Sequence, residues 1–228
     1  VGGTGTLVLG GTGSQWSGGV MTGTGTTKIA AGADLTISGA TKFLGDRTIT
    51  NEGTLIEATG GGNRIELDGT AVLNNAGILD IRGQAVWTNA TLPTGSMVLN
   101  NTGTIKKTVD AGAFTFANTA VNNNGGIIDV QTGALYLSGG GSASGNYQIN
   151  TTGNAQLILN AGTFTVTDGA AGTGTGTLIV VGGTLGASGT GSIGKINLQT
   201  GGAVGGTGTL VLGGTGSQWS GGVMTGTG

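Results

Sequence analysis

The chain has 228 residues, of which 54 are Gly, one is Pro and none is Cys or His; charged residues make up 8% and the formal net charge is −2. Collagen is excluded because Gly does not recur at every third position, and a disordered linker is excluded because 36% of the residues are hydrophobic while charge is scarce. Too few basic residues are present to neutralise a row of phosphates, no apolar run is long enough for a membrane-crossing helix, and without Cys no disulfide framework exists.

The chain opens with VGGTGTLVLGGTGSQWSGGVMTGTG, and residues 204–228 repeat residues 1–25 without a change. Residues 1–203 therefore form one tandem unit and 204–228 begin the next, the whole reading as one solenoid, 1–228. Within the unit a looser period recurs. A Gly leads into a short apolar strand at Gly5, Gly25, Gly53, Gly77, Gly103, Gly126, Gly153, Gly176 and Gly194, and Gly208 starts again. The spacings are 20, 28, 24, 26, 23, 27, 23, 18 and 14 residues, nine steps averaging about 22.6, which is the length of one coil of a parallel β-helix. The last step is short for a coil, so the register near Gly194 is open.

Period-2 alternation after each Gly predicts strands, as in Leu7/Leu9, Leu79/Ile81, Ile128/Val130, Leu178/Val180 and Ile196/Leu198. A second strand follows with the same alternation: Leu35/Ile37, Ile65/Leu67, Phe114/Phe116, Leu135/Leu137 and Phe164/Val166. A third apolar point, Ile49, Leu73, Leu99, Val121 or Ile149, precedes each Asn-rich corner. Three faces per coil imply a roughly triangular cross-section, and no stretch of helical period is present.

The corner sequence is Thr50-Asn51-Glu52-Gly53, then Asn74-Asn75-Ala76-Gly77, Asn100-Asn101-Thr102-Gly103 and Asn123-Asn124-Gly125-Gly126, with Asn150-Thr151-Thr152-Gly153 as a variant. Asn and Gly both tolerate the left-handed backbone of a tight corner. Stacked coils bring equivalent side chains to about 4.8 Å, where Asn amides hydrogen-bond along the stack. Between strand residues that point inward, Asp80, Lys106 and Asp129 are expected to face out as a ladder of alternating sign. Glu57 and Lys107 fall on inward positions; burying either charge alone is costly, so both are expected to leave the core at corners.

The acids are dispersed, and the only close sets, Glu66/Asp68 and Asp46/Arg47, lack a third group, so no catalytic site is expected. The GGTGTG runs lack the Asp of a calcium-binding nonapeptide and the Lys of a phosphate loop, so no metal and no cofactor is expected. Thr-Gly-Thr runs suggest an ice-binding ladder, but four coils place Asn where that ladder would have to continue. Trp87 follows the inward phase and reads as core. Trp16, which recurs as Trp219, reads either as a plug over Gly18-Gly19 or as a surface contact repeated along an array.

The run Gly5-Thr-Leu-Val-Leu-Gly-Gly-Thr-Gly-Ser-Gln-Trp16-Ser-Gly18-Gly19, followed by Gly32-Ala-Asp-Leu-Thr-Ile-Ser-Gly39, resembles the repeats of autotransporter passenger domains. The Asn-Gly corners with their GxLxI strands resemble filamentous haemagglutinin-like surface proteins. The resemblance implies a right-handed parallel β-helix, secreted and displayed on a bacterial surface as an adhesin or stalk. Residues and resemblance together predict an all-β parallel β-solenoid of about nine coils per unit, acting as a segment of a long extracellular fibre. Its expected partner is a further copy of itself, stacked end to end, with no nucleic acid and no membrane insertion by this segment. A passenger adhesin that binds surface glycans or other cells is the alternative.

Overall fold

The computed structural model describes residues 1–89, 95–149 and 155–227. Among them are thirty-one short strands and no helix. Every named pairing is parallel, and each strand pairs with the strand three places along the chain. The chain is thus a β-solenoid of about nine turns per unit, with coils of roughly 22 residues. Each coil lends its backbone donors and acceptors to the next, so the ladders run parallel up the axis.

Each coil has three faces. In the first coil Thr6–Leu9 lies on face A, Ser14–Trp16 on face B and Gly19–Met21 on face C. Face A is an 11-stranded sheet and face C a 10-stranded sheet. Face B has eight strands, and a two-stranded continuation, Thr190–Ile193 with Thr209–Leu212, is joined to it by a bridge from Ala171 to Ser192.

Inward side chains form columns that run up the axis. On face C one column reads Ile65, Trp87, Phe116, Leu137, Leu159, Val180, Leu198. Trp87 is 1% exposed and meets Phe114 and Phe116 edge-on, with ring centroids 6.0 and 5.3 Å away, so the core reading of this residue holds. On face A one column is apolar at both ends, Leu9 and Ile29 below and Ala143, Val166 and Ala187 above; between them stand four asparagines.

The Gly-led strands do not all sit on one face, as a strict coil period would require. Those after Gly5 and Gly25 are on face A, those after Gly53, Gly77, Gly103 and Gly126 on face B, and those at Gln156–Leu159, Thr177–Val180 and Ile196–Leu198 on face C. The 28-residue step from Gly25 to Gly53 covers four strands, a coil and one face, and the 14-residue step from Gly194 to Gly208 covers two. The 27-residue step after Gly126 also covers four strands, although Gly153 lies outside the described residues. The strand Asn146–Ile149, expected on a third face, pairs on face B with Ile127–Val130.

Candidate functional site: the asparagine column and the buried charges

Asn51, Asn75, Asn101 and Asn123 are each the last inward residue of a face A strand, and each is at most 1% exposed. The side-chain amides form a chain along the axis. Asn51 Nδ2 donates to Asn75 Oδ1 at 2.7 Å, Asn75 Nδ2 to Asn101 Oδ1 at 2.6 Å, and Asn101 Nδ2 to Asn123 Oδ1 at 2.7 Å. The second amide hydrogen turns to the A–B corner: Asn51 to the carbonyl of Ile78, Asn75 to Thr104, Asn101 to Ile127, and Asn123 to Asn146. Backbone carbonyls of the same residues accept from the next corner, as when Asn51 O receives both Ala76 N and Gly77 N at 2.9 Å. Every interior polar group of the corner is thereby used, except Asn51 Oδ1, which stacks over Ile29 and has no partner.

A second, outward ladder runs beside it. Asn100 Nδ2 donates to Asn74 Oδ1 at 3.0 Å, Asn122 Nδ2 to Asn100 Oδ1 at 3.2 Å, and Ser142 Oγ to Asn122 Oδ1 at 3.3 Å. Two expectations need correction. The pair in the fourth corner is Asn122-Asn123, because Asn101 is in register with Asn123, and Asn124 is exposed, one residue past the ladder. The inner asparagines also do not take left-handed backbone: they end extended strands, and Asp110, with φ of 66°, is the one non-Gly positive-φ residue among those described. Asn150 lies outside the described residues.

The corner glycine has a different task from the one expected of it. A Cβ on Gly77 would stand 2.1 Å from the carbonyl oxygen of Gly53, and one on Gly103 2.2 Å from that of Gly77. Close approach of successive corners, not a positive φ, excludes a side chain there.

Glu57 and Lys107 do end their strands at the B–C corner, but neither leaves the core; both are 0% exposed, stacked between Ile37, Ile81 and Val130. Burial is tolerated because the turn supplies partners. Glu57 accepts from Thr59 N at 2.8 Å and from Trp87 Nε1 at 3.0 Å. Lys107 Nζ donates to the carbonyls of Val109 and Asp110 at 3.3 and 3.1 Å. Burial holds the Glu57 carboxyl above the ordinary carboxylate range, opposed by those hydrogen bonds and by the charge of Lys42. Burial likewise lowers Lys42 and Lys107, with Glu57 and Asp110 acting in the opposite sense. Asp110 is held below its usual value by the Gln84 amide of the preceding coil and by Gly112 N.

Arg47, 1% exposed, is a buried cation that the sequence pattern does not single out; its guanidinium donates to Thr27 Oγ1 at 2.7 Å and to Thr26 O at 2.9 Å. The outward ladder has the expected register, Asp80 on Lys106 on Asp129. Asp80, expected to be open to solvent, is instead 1% exposed, covered by two cations, Arg82 Nη2 at 2.7 Å and Lys106 Nζ at 3.4 Å, while Asp129 receives Gln131 Nε2 at 2.6 Å. Glu66 is 1% exposed and paired with Arg64, whereas Asp68 is exposed. These pairings neutralise charge and close turns; they do not converge on a common point.

The repeated tryptophan differs between its two copies. Trp16 is 5% exposed and stacks inward on Ile37, so the surface-contact reading fails for it. Trp219 stacks on Leu198 and is 62% exposed. Among the described residues no group of three or more acids is placed to hold a metal, and no helix is long and apolar enough to cross a membrane. No family model, no curated protein and no solved structure matches the chain.

Proposed function

We propose that this chain is a structural segment of a long, surface-displayed fibre that lengthens by stacking coil on coil. A β-solenoid fits a structural repeat protein. The observation that carries the reading is the repeated segment itself. In its first copy, Thr6–Leu9 pairs with the strand that follows, Thr26–Ile29; in its second copy, the same sequence, Thr209–Leu212, pairs with the strand that precedes, Thr190–Ile193. One sequence therefore accepts a coil on either side, which is what an internal layer of a tandem array must do. The buried ionisable groups support a mechanical role, since Glu57, Lys107 and Arg47 are spent on turns and corners inside the stack. Extracellular display rests on the likeness of the GTLxL and Asn-Gly patterns to secreted β-helical repeats.

Chains of one, two and three units, compared by small-angle scattering, test the reading. Each added unit should lengthen the particle by about 45 Å, given coils about 4.8 Å apart. A compact particle whose length does not grow with copy number would end the fibre reading. Antibody against this segment should stain intact cells of the source organism; staining that needs permeabilised cells would remove the surface assignment.

A further inference from the structure

We propose that successive units join through a defined seam whose middle layer is the repeated 25-residue segment, and that each unit is turned by one face, a third of a turn, relative to the unit before it. The inference rests on the tandem-array reading above and specifies the partner, a second copy of this chain, and how it docks.

The two copies of the segment show the two halves of the seam. Below, Leu212 stacks on Ile193, Trp219 on Leu198 and Met224 on Val204. Above, the same residues in the first copy are covered: Leu9 by Ile29, Trp16 by Ile37 and Met21 by Leu44. Superposing the copies gives three columns, Ile193–Leu–Ile29, Leu198–Trp–Ile37 and Val204–Met–Leu44, apolar throughout. The covering layer has a measurable effect, because Trp is 5% exposed in the covered copy and 62% in the other, and Met is 5% against 52%.

The turn follows from the strand count. Thr6–Leu9 lies on face A, while its duplicate Thr209–Leu212 continues face B. Ser14–Trp16 is on face B but Gln218–Trp219 on face C, and Gly19–Met21 is on face C but Val223–Met224 on face A. Twenty-eight strands separate the duplicates, one more than nine three-strand coils hold. A following unit built on this layer starts one face on. Its asparagine column would stand over face B, that of the third unit over face C, and the fourth unit would return to face A. The true axial repeat is then three units, about 134 Å at about 4.8 Å per coil. Any patch on one face of the unit is thereby presented on all three sides of the fibre, a geometry suited to multivalent contact.

The chain contains no Cys, so an introduced thiol is unique within each unit. Ser188 is exposed at the A–B corner. A three-unit chain with Ser188→Cys in every unit, biotinylated and bound to monovalent streptavidin, is imaged by electron microscopy. Tags projecting from three sides in succession are expected; tags aligned along one side of a particle of full three-unit length would overturn the turn while leaving the array reading intact. A particle that fails to lengthen would fail the array reading itself. Gln131→Cys, also exposed, replaces the first site if that variant does not fold. The seam is read separately by acrylamide quenching of tryptophan. The accessible share should fall from one in three in the present chain, where Trp16 and Trp87 are buried, to one in seven in the three-unit chain. An unchanged share would overturn the seam.

Discussion

Four asparagines in the core of an apolar solenoid need each other. Asn101 receives an amide hydrogen from Asn75 and gives one to Asn123, so Asn101→Ala strands a donor on one side and an acceptor on the other. Leaving such groups buried and unpaired should cost about 2–4 kcal/mol. Asn100→Ala, on the outward ladder within reach of water, should cost less than about 1 kcal/mol. Urea unfolding of the two variants decides the matter, and equal midpoints would mean that the inner column is not the stabilising one. Glu57 makes a second test. Its folded-state carboxyl is raised above the unfolded value by burial, so the folded chain binds a proton first as pH falls. The associated stabilisation is full below the ordinary carboxylate range and is lost as pH rises through the raised value. The stability of the wild type relative to Glu57→Gln should therefore improve as pH drops from neutrality towards that range; a difference that stays flat would show that Glu57 is not perturbed.

The A–B corner is the element most sensitive to a single added atom. Gly53, Gly77 and Gly103 stack so closely that each leaves no room for a Cβ on the next. Gly77→Ala must push two coils apart or bend the corner, at an expected cost of about 2–4 kcal/mol. Gly60, in the turn at the B–C corner between Thr54–Glu57 and Arg64–Leu67, meets nothing within 4 Å and has no positive φ. Gly60→Ala should instead stabilise by about 0.4–1 kcal/mol, through a less flexible unfolded chain. Thermal melts of both variants check the contrast, and similar melting temperatures would refute the close-packing account of the corner. The B–C corner follows the opposite principle, filling its interior with Glu57, Lys42 and Lys107 whose polar ends are bound by turn carbonyls and amides. Long side chains suit this place because their stems pack as hydrocarbon beneath apolar neighbours.

A solenoid of short-range contacts gains stability from each neighbouring coil, so its outermost layers are its least satisfied. In the 228-residue chain the last layer exposes Leu212, Trp219 and Met224. The isolated chain should accordingly associate end to end with rising concentration, and Trp219→Glu should weaken that association, both read by size-exclusion chromatography with scattering. Monomers alone at about millimolar concentration would contradict this.

The repeat, the strands and the approximate coil length were legible in the residues because they depend on local alternation and on Gly placement, which hold wherever a strand ends up. The partners in the outward charge ladder, Asp80, Lys106 and Asp129, were legible for the same reason: coils of similar length bring like positions into line. Which face each strand occupies was not, because all three faces use one signature, a Gly followed by alternating apolar residues. Only the stack resolves the 28- and 14-residue steps into four strands and two, and so sets the third of a turn between duplicates. Tertiary structure likewise decided the fate of the polar residues. Alternation from Leu99 puts Asn101 on the inward phase and Asn100 on the outward one, but nothing in the spacing says that an inward Asn finds a partner on the next coil, that Arg47 is buried, or that Glu57 is held by Trp87 from the next coil. Those outcomes depend on what the neighbouring coils offer as hydrogen-bond partners, and a buried polar group is stable only where such a partner is in reach.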